Sequence, residues 1–298
     1  MNLGRKQEIK DAVRQRYSAI ANNNSEANCR ETSNEPIGVN QALSCCGLSS
    51  MHNEENPSKS CSIALQDAGA EQMSRVMGYT PENIKDVPDG ANLGLGCGNP
   101  VALASLQPGE TVVDLGSGGG FDCFLASKAV GDKGNVIGVD MTPDMVSKAR
   151  KNAGKIKAHN VEFRLGEIEN LPISDNTADV IMSNCVINLS PEKQNVYKEA
   201  FRVLRPGGRL AISDVLTKAE LPEIIRNDLA LIGACIGGAE TIEATRESLE
   251  KAGFVDISIK SNEHGRNLIK EWDPGTSEKA TDYIFSSYIK AFKPIIPM

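Results

Sequence analysis

Residues 112–122 read VVDLGSGGGFD, a short apolar run that ends in glycines and passes at once into a stretch of helical composition. Gly116, Gly118 and Gly120 let the backbone turn sharply and let a ligand approach the main chain closely. The next apolar run, NVIGVD at 135–140, ends on Asp140. A carboxylate at the end of the second strand of such a unit can accept both hydroxyls of a ribose. Dinucleotide enzymes space these glycines GxGxxG and set a pyrophosphate on the helix N-terminus. Here the spacing is GxGxG, with Asp114 two residues ahead.

Working outward, strands alternate with helices. Residues 111–116 predict the first strand and 121–130 a helix. Residues 135–140 predict the second strand and 142–153 a helix, with Thr142 or Asp144 near its start. VEFRLG (161–166), ADVIMSN (178–184) and RLAISDV (209–215) predict three more strands, with a helix at 191–204 stopped by RPGG. A helix from about Pro222, another over 241–253, and strands at 254–260 and 283–293 follow. This alternation predicts an α/β fold: a Rossmann-like, doubly wound, mostly parallel sheet of seven strands. Ahead of it, residues 4–17 predict a short charged helix, and 67–77 another. Residues 21–62 are rich in Asn, Ser, Glu and Cys and lack the apolar content to fold alone. We therefore divide the chain into a polar, cysteine-containing extension (1–66), a cofactor-binding domain (67–215) and a small C-terminal region that completes the sheet and binds the acceptor (216–298).

The 298 residues are 40% hydrophobic and 24% charged, enough for one main core with extensions. A net charge of -7 with 4% aromatics argues against nucleic-acid binding, which needs a basic face and stacking platforms. No apolar run approaches the ~20 residues of a membrane helix. The first residues, MNLGRKQEIKDAVRQRY, lack the apolar middle of a secretion signal, so a cytoplasmic location is expected.

There are eight cysteines. In a reducing compartment they read as thiols with metal-binding, catalytic or packing roles rather than as a disulfide framework. Neither CxxC nor HExxH is present, and His52, His159 and His264 lie far apart, so no zinc template is signalled. Three cysteines fall in telling places. Cys97 lies in GANLGLGCGNP before the first strand, Cys185 directly follows the fourth strand in SNCVINLS, and Cys235 lies in GACIGGA beyond the fifth. Ligands of open α/β sheets bind at the carboxyl ends of the strands, so Cys185 belongs on the cleft rim, and Cys97 and Cys235 can fold over it. Soft thiolates select soft, thiophilic centres. Against this stands the plainer reading of a cysteine as a small buried hydrophobe, which we assign to Cys123.

DLGSGGG followed by VIGVD, with LGEIENLP and the RVLRPGGRL turn, resembles class I S-adenosylmethionine-dependent methyltransferases over roughly residues 90–260. The resemblance implies S-adenosylmethionine as cofactor. It implies Asp114, Gly116, Ser117, Gly118 and Gly120 near its methionine end, Asp140 on the ribose, Met141 against the adenine, and Glu167 with Ile168 at the adenine edge. Asn184, at the end of the fourth strand, is included in this set. GLGCGNP, SNCVINLS and GACIGGA are similar to motifs of arsenite methyltransferases of the prokaryotic branch. That similarity implies Cys97, Cys185 and Cys235 as ligands of trivalent arsenic. It also implies that the SCCG pair, Cys45 and Cys46, delivers arsenic or forms a disulfide during turnover, with a thioredoxin-type partner or glutathione as reductant. Arsenite or its thiol conjugates would be the substrate, and a monomer is expected. Cys29 and Cys61 receive no role.

Two other readings compete. A C- or O-methyltransferase of a small organic acceptor such as a quinone shares the cofactor site, and would have an apolar acceptor pocket and dispensable cysteines. A thiol-based sequestering protein would have lost cofactor binding, against which the intact Asp114–Gly120 run and Asp140 speak.

Overall fold

The apolar strands are buried on both faces, which is why they read as continuous hydrophobic runs rather than alternating ones. In β1 (Thr111–Leu115), Val113 and Leu115 pack into one core cluster while Val112 packs into another on the opposite side. This is the period-2 placement of side chains along a strand. The computed structural model describes residues 2–23, 69–262 and 283–295.

Parallel neighbours of β1 are β2 (Asn135–Asp140) and β4 (Ala178–Asn184). Next to these lie β3 (Val161–Leu165) and β5 (Leu204–Thr217). Beyond β5 the sheet is completed by β8 (Ile284–Phe292), antiparallel to both β5 and β7 (Val255–Ser261). The main path is β3-β2-β1-β4-β5-β8-β7, seven strands as expected. A two-residue β6 (Glu240–Thr241) pairs with β5 off this path. The order reverses between β2 and β4, so the crevice at their carboxyl ends, beside β1, is where a ligand binds in such a sheet.

The helices are α1 (Leu3–Asn23), α2 (69–76), α3 (Pro81–Lys85), α4 (Pro100–Ala104), α5 (Phe121–Val130), α6 (Pro143–Ile156), α7 (Lys193–Val203), α8 (Glu223–Asn227), α9 (Leu229–Gly233) and α10 (Ile242–Ala252). None of the described helices is long and apolar enough to cross a membrane. The sequence reading lacked α3, α4 and β6 and ended α6 at 153 rather than Ile156, and three further differences have a local cause. The first helix runs on past Tyr17 to Asn23, because it packs against α6 and α9 rather than standing alone. The helix expected from Pro222 is two short helices, broken at Asp228, whose side chain accepts from the Ala230 and Leu231 amides and starts the second. The RPGG turn lies inside β5: pairing with β4 shifts there, and Gly207 adopts a φ of 82°.

Candidate functional site

The glycine turn after β1 has three residues with positive φ: Gly116 (70°), Gly118 (50°) and Gly120 (94°). A Cβ at Gly120 would meet the Phe124 and Phe163 rings, and one at Gly116 would fall 2.4 Å from Val186. Gly118 faces open space, so its constraint is conformational. Val186 directly follows Cys185, so the missing side chain at Gly116 lets the cofactor turn and the cysteine motif touch.

Around this turn three carboxylates are buried. Asp140 accepts from the Gly118 amide at 2.9 Å and the Thr142 amide at 2.8 Å. Burial nonetheless raises its pKa. Asp114 accepts from the Cys123 thiol at 3.2 Å, and its carboxyl is pushed well above the usual range by burial and then by Asp122. Asp122 accepts from the Tyr79 hydroxyl at 2.6 Å and the Asn184 amide at 3.1 Å, and burial outweighs both bonds to lift its pKa to about 6. None of the three has a basic partner among the described residues. Ser117 adds a buried hydroxyl without a hydrogen-bond partner. Three buried acids and an unpaired hydroxyl beside a glycine turn fit a ligand carrying both positive charge and polar groups. S-adenosylmethionine, with its sulfonium, ammonium and ribose, is such a ligand.

An open groove of about 290 Å³ is lined by Arg14, Met141, Pro143, Leu165, Gly166 and Glu167. Met141 and Glu167 are therefore at its wall. Glu167 also pairs with Lys10 at 2.7 Å and Arg14 at 3.6 Å, both from α1. Ile168 instead turns into the main core cluster.

The cysteines converge one step along the sheet edge. Cys97, Cys185 and Cys235 are buried in a single cluster. The Cys97 and Cys185 sulfurs and an Asp214 carboxylate oxygen lie within 4.8 Å of one another. The Cys235 thiol donates to the Cys185 carbonyl at 2.8 Å. Hydrogen bonding with the Cys235 and Cys97 thiols, followed by burial, holds the Cys185 thiol protonated well above its ordinary range. Small residues allow this convergence. A Cβ at Gly96 would strike the Asn184 side chain, and one at Gly98 would lie 2.3 Å from the Ser213 hydroxyl, so the loop carrying Cys97 seats directly on the ends of β4 and β5. A Cβ at Gly238 would lie 1.9 Å from the Asn188 carbonyl, so the GACIGGA loop closes on the 3₁₀ turn Ile187–Leu189. Cys185 and Cys235 themselves adopt φ of 58° and 64°. Such left-handed backbone is unfavourable for cysteine and persists where surrounding structure enforces it.

Asn184 ties the two regions together. Its Nδ2 donates to Asp122, to the Tyr79 hydroxyl at 3.1 Å and to the Gly98 carbonyl at 2.9 Å, while its Oδ1 accepts from the Cys97 amide at 3.0 Å. Asp214 holds the next turn, accepting from the Ile187 amide at 3.0 Å and Asn188 Nδ2 at 2.9 Å, and burial lifts its pKa to about 6. Sequence reasoning missed Tyr79, Asp122 and Asp214. Asp122 stood within the quoted glycine stretch, but nothing marked its side chain as turned inward. Cys123 is fully buried as expected, with the added bond to Asp114. Cys45 and Cys46, with Cys29 and Cys61, lie outside the described residues.

Residues 106–253 match a family model described as a methyltransferase domain. The chain is 43% identical to an arsenite methyltransferase of Halobacterium salinarum over 288 residues, 97% of this chain and 67% of that protein. It is 45% identical over 152 residues to the human arsenite methyltransferase, covering 48% of this chain but only 40% of the human protein. The crystal structure of an arsenic(III) S-adenosylmethionine methyltransferase from Chlamydomonas reinhardtii superposes with a TM-score of 0.56 at 31% identity, covering 76% of this chain and 74% of that one. A donor crevice and a thiol cluster joined through Asn184, on a chain this similar along nearly its whole length, lead to one assignment: the chain belongs to the arsenite methyltransferase family of S-adenosylmethionine-dependent enzymes.

Proposed function

We propose that the protein methylates trivalent arsenic held by Cys97, Cys185 and Cys235, as a detoxification step. The observation that carries this is the convergence of three buried thiols beside the glycine turn. Asp114, Gly116, Ser117, Gly118 and Gly120 hold the methionine end of the cofactor, Asp140 its ribose, and Met141 and Glu167 the adenine. When bound, S-adenosylmethionine supplies an electrophilic methyl group on its sulfonium. The carboxylates of Asp114 and Asp122 stabilise positive charge in that crevice, where low dielectric strengthens the attraction.

Each thiol replaces one hydroxide of arsenite: an As–S bond forms, an As–O bond breaks, and the thiol proton leaves with the hydroxide as water. Three sulfurs leave arsenic a lone pair. Because that lone pair is the nucleophile, no general base is needed, and the protein contributes chiefly proximity and alignment. Asn184 serves alignment, since it holds the Cys97 loop and Asp122 at once. Methylation of the lone pair oxidises arsenic. Its return to the trivalent state, with two thiolates leaving as a disulfide, creates the need for a thioredoxin-type or glutathione reductant. The protein is proposed to act as a cytoplasmic monomer.

The test is a methylation assay of the full chain with S-adenosylmethionine, arsenite and a dithiol, reading arsenic species by chromatography and mass spectrometry. Methylated arsenic is expected from the wild type and none from Cys185→Ser, with cofactor affinity retained. A Cys185→Ser variant of full activity would remove the thiolate site. Binding of cofactor without any methylated arsenic would favour a small organic acceptor.

A further inference from the structure

Tyr17 belongs to none of the motifs that carry the methyltransferase reading. It sits on α1, and its ring packs against the buried cluster that contains all three cysteines. The helix is fastened over that cluster along its length. Arg5 donates to the Asn227 carbonyl at 2.6 Å, Lys6 pairs with Glu192 at 2.7 Å, Lys10 pairs with Glu167 at 2.7 Å, and Lys148 donates to the Ala21 carbonyl at 3.0 Å. Arg16 lies against Gly233, two residues before Cys235. Tyr17 is thereby set beside the Cys235 and Cys185 sulfurs. Burial, then those two sulfurs, push its phenol well above the ordinary range, so the hydroxyl remains a donor.

In the free thiol state Cys235 spends its proton on the Cys185 carbonyl, 2.8 Å away. Binding arsenic removes that proton, which leaves as water with a displaced hydroxide. The sulfur then has nothing to donate and carries lone pairs in a buried site, where an unmatched acceptor is costly. We propose that Tyr17 is a positioning residue of the acceptor site: its hydroxyl donates to the arsenic-bound sulfur of Cys235, and its ring roofs the thiol cluster against water. This rests on the arsenic reading above and deepens it. Partners of this kind behind a metal-binding atom typically change affinity by roughly 10–100-fold when removed.

The experiment compares the full-length wild type with Tyr17→Phe and Tyr17→Ala. Arsenite is titrated in while the ultraviolet absorption of arsenic–sulfur bonds is followed. S-adenosylmethionine affinity is measured by calorimetry, and alkylation of Cys235 by iodoacetamide, without arsenic, by peptide mass spectrometry. Tyr17→Phe is expected to weaken arsenite binding about ten-fold and raise the KM for arsenite, with cofactor affinity unchanged. A merely structural role would not produce that split. Tyr17→Ala is expected to speed alkylation of Cys235 while Cys123 stays unreactive. A Tyr17→Phe chain that binds arsenite as tightly as a wild type that does bind it overturns the proposal alone. A wild type with no arsenic–sulfur absorption overturns the acceptor reading and this proposal with it.

Discussion

At the scale of single residues, the candidate site keeps carboxyls and thiols out of water. Asp122 is the clearest case. Its hydrogen bonds from Tyr79 and Asn184 favour the ionised form, yet burial wins and the pKa settles at about 6. A cationic cofactor beside it would restore ionisation, so binding and deprotonation are linked. Affinity for S-adenosylmethionine is therefore expected to rise between pH 5 and pH 7, and Asp122→Asn to flatten that slope, as read by calorimetry in buffers of different ionisation enthalpy. Equal slopes in the two chains would show that another group couples to the cofactor.

At the scale of elements, the proposed acceptor site is an assembly of loops seated on strand ends, and glycine decides how closely they seat. Gly238 lets the GACIGGA loop close on the turn that follows β4, and Gly237 lets it pack against Ile225 and Ile232, with the Asn188 Nδ2 donating to the Val215 carbonyl at 2.6 Å. A methyl group at Gly238 would meet backbone, which cannot swing away as a side-chain tip can. Gly238→Ala is expected to destabilise the chain by about 1–3 kcal/mol and to displace Cys235. Arsenite methylation should fall at least ten-fold while cofactor binding persists, which melting curves and the product assay together would report. α1 is the other decisive element. Its Lys10 is held charged by Glu167 and Glu169 against the opposing effect of burial, and the same pairs fix the helix over both sites.

Across the whole molecule, buried carboxylates set a pH dependence of stability. Asp122 and Asp214 have folded pKa values of about 6, above the ordinary 3.8. Between those values the folded chain binds more protons than the unfolded chain, so stability falls as pH rises through about 6. Glu110 and Glu199 act oppositely. Burial works against Glu110, but its bonds with Arg209 and Gln107 lower its pKa, and Arg202 lowers that of Glu199, so their contribution is lost only at pH values below the ordinary 4.5. The cofactor-free chain is thus expected to melt a few degrees higher at pH 5.5 than at pH 7.5 in scanning calorimetry, with added cofactor stabilising it most at the higher pH. A melting temperature that climbs steadily from pH 5.5 to 7.5 would contradict this account.

How much was legible without the structure follows from the range over which each signal acts. The strands at 135–140 and 178–184, and the helix at 121–130, could be read to the residue, because a buried apolar run between polar or glycine residues is a local pattern. The glycine turn and Asp140 were legible because they need particular residue types at fixed spacing, whereas the three cysteines were singled out by their places near strand ends and by the resemblance of their motifs. What the chain order could not reveal is which distant groups face one another. Tyr17 and Cys235 are separated by more than half the chain, and Asp122 and Tyr79 by 43 residues. The first meeting depends on α1 packing against α6 and α9, and the second on the chain before β1 folding back onto α5. The inventory of chemistry was therefore set by sequence, whereas its convergence, its burial and the resulting shifts of Asp122, Asp214 and Cys185 were decided only in the tertiary structure, because desolvation and through-space contact belong to the packed chain and to no segment of it.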